Sequence, residues 1–321
     1  MSDLVQQLEW AFSLHIRGRS EEALEAGSRL LPQARGTPHG ARVYRVLAEF
    51  RHALGDYEGA RQAAEESAVL ARAVRNPDEI LASNLVELDC DLYEGRITTA
   101  YEQLLQLIKL TGDQPRAMIF MARLLLLAGD FDAAVELAER CEGPTKSAYA
   151  DLARAHVMLL AGKAHLLACR PAEALAVLER AATLEVPTLV PGILAEALIG
   201  LALAQSKTMD AAMEHVDRSA ELARKISRDI HGQALAVSGL ARQRVGETGV
   251  ATEQLASAVG LMSHPIERQE SFCSLGDMSI QAGDREEAEF AYRRALEPTT
   301  ESHFGRLAVR ALRDLVGLRA V

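Results

Sequence analysis

The chain has 321 residues, a formal net charge of −10 and four cysteines. The negative charge argues against DNA or RNA as the main partner, because nucleic-acid-binding domains usually carry a basic excess. The cysteines lie far apart without a CxxC pair, which excludes a disulfide framework and suits a reducing cytoplasm. Hydrophobic residues make up 49% of the chain and aromatic residues 4%, so we expect closely packed helices rather than a β-sandwich.

Targeting and membrane signals are absent from the sequence. The start, MSDLVQQLEW, has neither a basic n-region nor an apolar h-region. In the most apolar region the longest uninterrupted apolar run, 197–204, is far shorter than the ~20 residues of a membrane helix. We therefore expect a soluble, cytoplasmic protein. Arginine far outnumbers lysine and alanine is abundant, which favours a GC-rich bacterial source.

A two-helix unit repeats along the chain. In each copy a turn residue, usually glycine, is followed five positions later by alanine, and eight such pairs occur at spacings of 34 to 40 residues. Glycine readily takes the positive φ that ends a helix, so each pair predicts a helix, a tight turn and a second helix. In chain order the pairs are Gly18 with Ala23, Gly55 with Ala60, Gly95 with Ala100, Gly129 with Ala134, Cys169 with Ala174, Lys207 with Ala212, Gly246 with Ala251, and Gly283 with Ala288.

A second small residue stands seven positions before each turn residue, except in the third copy, where the residue is leucine. Two antiparallel helices approach closely only where their side chains are small. We therefore expect this residue and the alanine after the turn to meet where the two helices cross. The residues before the turns are Ala11, Ala48, Leu88, Ala122, Gly162, Gly200, Gly239 and Gly276.

The period divides the chain into eight repeats and a final helix. Residues 303–319 have one apolar face and arginines on the other side, which is typical of a helix that caps a repeat array. No connection is long enough to be a disordered linker, so we predict a single solenoid over 1–321. The predicted repeats are roughly 4–36, 41–75, 79–113, 115–146, 148–187, 192–230, 232–265 and 267–300.

This pattern resembles the tetratricopeptide repeat, a helix–turn–helix unit of 34 residues. The last copy matches best, with Leu275-Gly276 at the family's Leu-Gly position, Gly283-Asp284 at its turn and Ala288 on its second helix. The long period is similar to that of the sensor domains of bacterial MalT-type regulators and of peptide-pheromone receptors. The resemblance implies an all-α, right-handed superhelical solenoid whose first helices line a concave groove.

Catalytic motifs are missing. The chain has no HExxH, GxSxG, P-loop or GxGxxG motif, so we expect neither an enzyme nor a bound cofactor or metal. His156 and His165 are nine positions apart rather than the four of a helical metal pair. Trp10, the only tryptophan, falls at a predicted packing position of the first copy.

The resemblance also implies which side chains face the groove, because four positions of the family's first helix point into it. Mapped onto this chain, the groove is basic-leaning in copies two to five and apolar further along. Arginine pairs with carboxylates and phosphates through a bidentate fork; the alternative is that the arginines form internal ion pairs with Glu49 and Asp89. The predicted groove residues are Arg42, Arg45, Glu49, His52, Asp89, Arg116, Arg123, His156, Lys163, Leu194, Leu201 and Leu240.

Several functions fit this sequence. The leading hypothesis is a non-enzymatic scaffold that holds another protein or peptide in the groove, and an acidic partner would suit the arginines. The alternative is a regulatory domain that senses a small molecule or a signalling peptide and acts on a partner regulator. A homodimer formed through the solenoid ends is a third hypothesis. No nucleic-acid or membrane partner is expected.

Overall fold

The structure is a computed structural model that describes residues 3–111, 114–140, 148–184, 186 and 188–317. These residues form eighteen α-helices and no strand. The helices follow one another as antiparallel pairs joined by tight turns, so the fold is an all-α solenoid, as predicted. None of the described helices is long and apolar enough to cross a membrane.

The chain forms two compact units, 1–117 and 118–321. The prediction of a single solenoid over 1–321 stays a prediction. The first unit contains α1 (Asp3–Ile16), α2 (Ser20–Ser28), α3 (Leu31–Ala34), α4 (Gly40–Ala53), α5 (Tyr57–Ala73), α6 (Pro77–Tyr93) and α7 (Ile97–Thr111).

The second unit holds five helix pairs and the final helix. Its helices are α8 (Pro115–Ala128), whose first residues precede the unit, α9 (Phe131–Arg140), α10 (Ala148–Leu167), α11 (Pro171–Ala182), α12 (Val190–Gln205), α13 (Met209–Arg224), α14 (Arg228–Val245), α15 (Thr248–Leu261), α16 (Pro265–Ala282), α17 (Arg285–Leu296) and α18 (His303–Gly317). Positions 318–319 of the predicted capping helix lie outside the described residues.

All eight predicted turn residues have a positive φ. Six are glycines, which adopt this left-handed conformation without steric cost. The other two, Cys169 and Lys207, carry a side chain there, with φ of 57° and 63°. The glycine values are 79° at Gly18, 79° at Gly55, 83° at Gly95, 82° at Gly129, 89° at Gly246 and 81° at Gly283.

Replacing Lys207 by glycine is expected to stabilise the protein by about 0.5–1 kcal/mol. A left-handed conformation costs a non-glycine residue roughly 1–2 kcal/mol, which glycine avoids. Glycine also increases the conformational entropy of the unfolded chain, which offsets part of this gain in stability. Urea unfolding followed by circular dichroism measures the difference. The matched control is Lys225→Gly at the C-cap of α13, where φ is −84° and the change should be neutral or destabilising. A Lys207→Gly variant less stable than the wild type would contradict the expectation.

The helix crossings are as tight as predicted. The alanine five positions after each turn residue is fully buried in all eight copies. At Gly200 a Cβ atom would lie 2.5 Å from Cγ1 of Val216 and 2.9 Å from the carbonyl oxygen of Ala212. Because the second of these atoms belongs to the backbone, α12 and α13 can approach this closely only with glycine at position 200.

The expected packing of Trp10 is wrong, since its side chain is 59% exposed. The buried face of α1 is formed by Leu4, Leu8, Ala11 and Leu14. Trp10 is adjacent to Ala11 and therefore points about 100° away around the helix.

Candidate functional site

Residues 118–321 contain a cavity of about 640 Å³, within the range of about 300–1,000 Å³ typical of ligand sites. The first helices of four consecutive repeats, α10, α12, α14 and α16, line it. The final helix α18 contributes Phe304 and Leu307. An apolar wall of this cavity is formed by Leu198, Leu201, Val237 and Leu240.

Each of the four helices presents two side chains at equivalent positions, six and two residues before its turn residue. Residues four apart lie on the same face of a helix, so both reach the cavity. The first row has a charge at each end and leucine between: Lys163, Leu201, Leu240 and Asp277. The second row is Leu167, Gln205, Arg244 and Gln281.

An ion pair joins the first and the last of these helices. Nζ of Lys163 on α10 lies 2.9 Å from Oε2 of Glu270 on α16. Both side chains line the cavity, so the pair brings together two repeats that are far apart along the chain. Each charge neutralises the other, and the pair adds no net charge to the site.

Two further charged side chains of the lining, Arg244 and Asp277, are exposed and form no ion pair within the described part of the chain. Oδ1 of Asp277 accepts a 2.5 Å hydrogen bond from the hydroxyl of Tyr292. Burial and this hydrogen bond raise the pKa of Tyr292, so its hydroxyl remains a donor at neutral pH. The bond holds the Asp277 carboxylate in a fixed position.

Gln205 offers the cavity an unpaired acceptor. Its Nε2 atom donates a long hydrogen bond of 3.4 Å to the carbonyl oxygen of Leu166. Its Oε1 atom is buried and has no hydrogen-bond partner among the described residues. An unpaired buried acceptor costs free energy, so the Gln205 amide gains stability if it turns to meet a donor.

The final helix does more than cover the last repeat. α18 packs on α16 and α17, as a capping helix should. In addition, Nη2 of Arg306 donates a 2.5 Å hydrogen bond to the carbonyl oxygen of Ala128, at the end of α8. The ring of His303 meets the ring of Phe131 edge-on, with centroids 5.1 Å apart. α18 therefore connects the eighth repeat with the fourth.

Known proteins share both the repeat and the fold. The tetratricopeptide-repeat family models match residues 41–66, 115–140 and 269–297. The chain carries tetratricopeptide repeats. No curated protein matches the sequence of this tetratricopeptide-repeat protein, and its similarity to MalT-type sensor domains stays a prediction.

Solved structures similar to this tetratricopeptide-repeat protein include two of nearly its own length. The apo form of the quorum sensor NprR from B. thuringiensis is 12% identical, with a TM-score of 0.58 over 92% of this chain and 87% of that one. The Rap protein complexed with competence and sporulation factor is 12% identical, with a TM-score of 0.58 over 96% of this chain and 99% of that one. In the Cut9-Hcn1 assembly of APC/C, 16% identical with a TM-score of 0.57, the match covers 95% of this chain but only 54% of the other. At these identities the likeness establishes the fold.

Three of the twelve predicted groove residues line the cavity, namely Lys163, Leu201 and Leu240. Leu194 is partly buried and packs against the hydrophobic core instead. His156 is exposed, and its Nδ1 atom lies 2.8 Å from the carbonyl oxygen of Leu152, one turn earlier in α10. Copies five to seven thus supply part of the cavity lining, and the role of these residues in binding stays a prediction.

The predicted basic residues of copies two and four lie in different surroundings. Arg45 is buried, and its guanidinium bonds Glu49 at 2.5 Å and also Glu79. Arg42 is half-buried and forms no ion pair within the described ranges. Arg123 lies over the ring of Phe120, 5.7 Å from its centroid. Arg116 is exposed.

The remaining predicted residues, His52 and Asp89, lie in the first unit. The His52 ring packs against two stacked tyrosines, with its centroid 5.5 Å from that of Tyr57 and 4.8 Å from that of Tyr93. Asp89 is half-buried on α6. Among the described residues no group of three or more histidine, cysteine, aspartate or glutamate side chains could hold a metal ion.

The sequence reasoning missed the contribution of the eighth repeat. Glu270, Cys273, Asp277 and Ile280 of α16 all line the cavity. They occupy the same four positions that predicted the groove residues of the earlier copies, so extending the same rule by one repeat would have found them. Nothing in the repeat pattern could have placed α18 at the cavity.

Cys169 is expected to react with iodoacetamide much faster than Cys90 or Cys273. Cys169 is exposed, whereas the other two are buried, and burial raises the pKa of each of those thiols to about 12. The thiolate is the reactive form, so both buried thiols are almost fully protonated at pH 7.5. Peptide mapping by mass spectrometry measures the three rates in a Cys141→Ser background. Equal labelling of Cys169 and Cys273 in the folded protein would contradict this expectation.

Proposed function

We propose that this tetratricopeptide-repeat protein is a non-catalytic binding module of a bacterial cytoplasm that holds a peptide in the cavity of residues 118–321. The observation that carries the proposal is the alignment of four consecutive first helices around one cavity of about 640 Å³. Its lining combines an apolar wall with a few polar groups, the composition of a site that binds and orients a ligand.

The chemistry of the lining favours a peptide over an acidic protein surface. Lys163, the one predicted cation in the cavity lining, is already neutralised by Glu270, so the cavity does not have the basic excess that would attract an acidic partner. Leucine and valine side chains suit the apolar side chains of a peptide, and glutamines match the donors and acceptors of its backbone. The Rap structure, which holds competence and sporulation factor, shares the fold and supports this class of function.

Affinity selection from a library of free synthetic peptides, read by mass spectrometry, tests the proposal. We expect the wild type to enrich peptides with a common apolar motif. Leu240→Trp should abolish the enrichment, because the larger ring occupies the cavity next to its apolar wall. The matched control is Leu222→Trp, an exposed position of α13 outside the cavity lining, which should enrich the same peptides as the wild type. Failure to enrich any motif, or enrichment that survives Leu240→Trp, would refute the proposal.

A second candidate function, a sensor that acts on a partner regulator, is favoured by the position of α18. Phe304 and Leu307 reach the cavity, while Arg306 on the same helix holds the end of α8. A bound ligand would therefore contact the helix that connects the fourth and eighth repeats. A selected peptide should slow amide hydrogen exchange in α18 if the protein is a sensor, and unchanged exchange there would remove this candidate. The proposed homodimer through the solenoid ends is tested separately by light scattering over a concentration series.

A further inference from the structure

We infer that the occupant of the cavity is a short free peptide with apolar side chains, selected through both of its charged termini by Arg244 and Asp277. The inference rests on the proposed function and specifies its ligand. Arg244 would bind the terminal carboxylate, and Asp277 would bind the terminal ammonium group.

The cavity lining contains two charges that no other described charged residue compensates. Four of its lining residues are charged, and Lys163 and Glu270 neutralise each other at 2.9 Å. One cation and one carboxylate remain, Arg244 on α14 and Asp277 on α16, and neither forms an ion pair within the described residues. A molecule with one negative and one positive end can pair with both residues. A purely acidic ligand would be repelled by Asp277, and a purely basic ligand would be repelled by Arg244.

The spacing of the helices limits the length of this ligand. Packed helices lie about 8–10 Å apart, and α14 packs against α16. An extended chain advances about 3.4 Å per residue. A peptide of two or three residues therefore matches the spacing of the two helices that carry Arg244 and Asp277, and a long segment of a folded protein could not place both termini there.

The remaining lining residues contact the side chains and the backbone of the peptide. The wall of Leu198, Leu201, Val237 and Leu240 suits leucine, isoleucine, valine or phenylalanine side chains. The Gln205 amide lines the cavity and makes only a long hydrogen bond within the protein, so it can turn to bond the peptide backbone. The Tyr292 hydroxyl holds the Asp277 carboxylate at 2.5 Å, so the partner of the ammonium group is fixed before the ligand arrives.

A panel of free tripeptides built from leucine, isoleucine, valine and phenylalanine tests the inference by thermal shift and titration calorimetry. We expect members of the panel to raise the melting temperature of the wild type. The best binder is then compared with its N-acetylated and its C-amidated forms, and each modification should weaken binding about tenfold or more, because each removes one charge-assisted hydrogen bond.

Two variants assign each terminus to its residue. Arg244→Gln should lower the affinity for the free peptide about tenfold and leave the affinity for the C-amidated form unchanged. Asp277→Asn retains an acceptor for the Tyr292 hydroxyl. It should lower the affinity for the free peptide and leave the affinity for the N-acetylated form unchanged. The inference is overturned if no free tripeptide binds, or if capped and free forms bind equally. In either case, library peptides that bind the wild type but not Leu240→Trp would leave the proposed function standing.

Discussion

Replacing Gln269 by leucine is expected to lower the free energy of unfolding of residues 118–321 by about 3–5 kcal/mol. Gln269 is fully buried on α16. Its Nε2 atom donates to the carbonyl oxygens of Ala295 at 2.7 Å and Thr299 at 2.9 Å, and its Oε1 atom accepts from the hydroxyl of Ser302 at 2.6 Å. Leucine has a similar volume but leaves all three groups without their partner, at a cost of roughly 1–3 kcal/mol for each buried group.

Urea unfolding measures the loss, and hydrogen exchange locates it. Ser302 also accepts from the backbone N–H of Gly305 at 2.9 Å, so Gln269 positions the start of α18. Exchange should therefore rise most in residues 297–310. Gln281→Leu on the same helix is the control, because Gln281 is exposed and surface changes usually stay within about 0.5 kcal/mol. A Gln269→Leu variant within 1 kcal/mol of the wild type would show that these hydrogen bonds do not hold α18 in place.

Replacing Arg45 by methionine is expected to destabilise residues 1–117 by about 3–5 kcal/mol, the usual result of removing one partner of a buried ion pair. The Arg45 side chain is 9% exposed, and the side chains of its partners Glu49 and Glu79 are 28% and 14% exposed. Methionine retains the volume of the arginine stem and leaves two carboxylates close together without a cation. The loss should appear in urea unfolding at pH 7.

The pH dependence follows from the direction of the Arg45 pKa shift. Burial opposes the charge on Arg45, but Glu49 and Glu79 together outweigh burial and raise the pKa of the guanidinium. A raised pKa in the folded state contributes stability at every pH below the unfolded-state pKa, which for arginine is about 12.5 or higher. The contribution of Arg45 protonation in the wild type should therefore be constant across the pH range in which the protein is folded.

Two controls separate charge from packing. Arg42→Met changes a half-buried arginine on the same helix that forms no ion pair within the described ranges, and we expect a loss below 1 kcal/mol. The triple variant Arg45→Met, Glu49→Met, Glu79→Met removes all three charges and should recover most of the stability, because apolar side chains of similar volume commonly replace a buried ion cluster at no net cost. A triple variant as unstable as Arg45→Met alone would contradict the electrostatic explanation.

Local geometry could be predicted from the sequence because each repeat imposes the same requirements. A turn between antiparallel helices needs a positive φ, and even Cys169 and Lys207 adopt it where glycine is missing. The helix crossing needs small residues, and Ala60 and Ala212 are fully buried there. These constraints act over a few residues, so a single sequence reveals them.

Contacts between distant repeats could not be predicted in this way. The partner of Arg45 that the sequence reasoning missed, Glu79, lies one repeat further along, and many charged positions have that spacing. The Lys163–Glu270 pair and the contact of Arg306 with Ala128 depend on how the small rotations between successive repeats add up. A sequence period gives the number of repeats but not this accumulated angle.

The contact between Arg306 and Ala128 has a consequence for the order in which the chain folds during synthesis. Each helix pair can form from neighbouring residues as it leaves the ribosome, because its contacts are local. The contact between α18 and the end of α8 joins residues 178 positions apart, so it forms only after the last helix has been made. The helix pairs can therefore form before α18 adds Phe304 and Leu307 to the cavity, and the cavity is the last part of residues 118–321 to be completed.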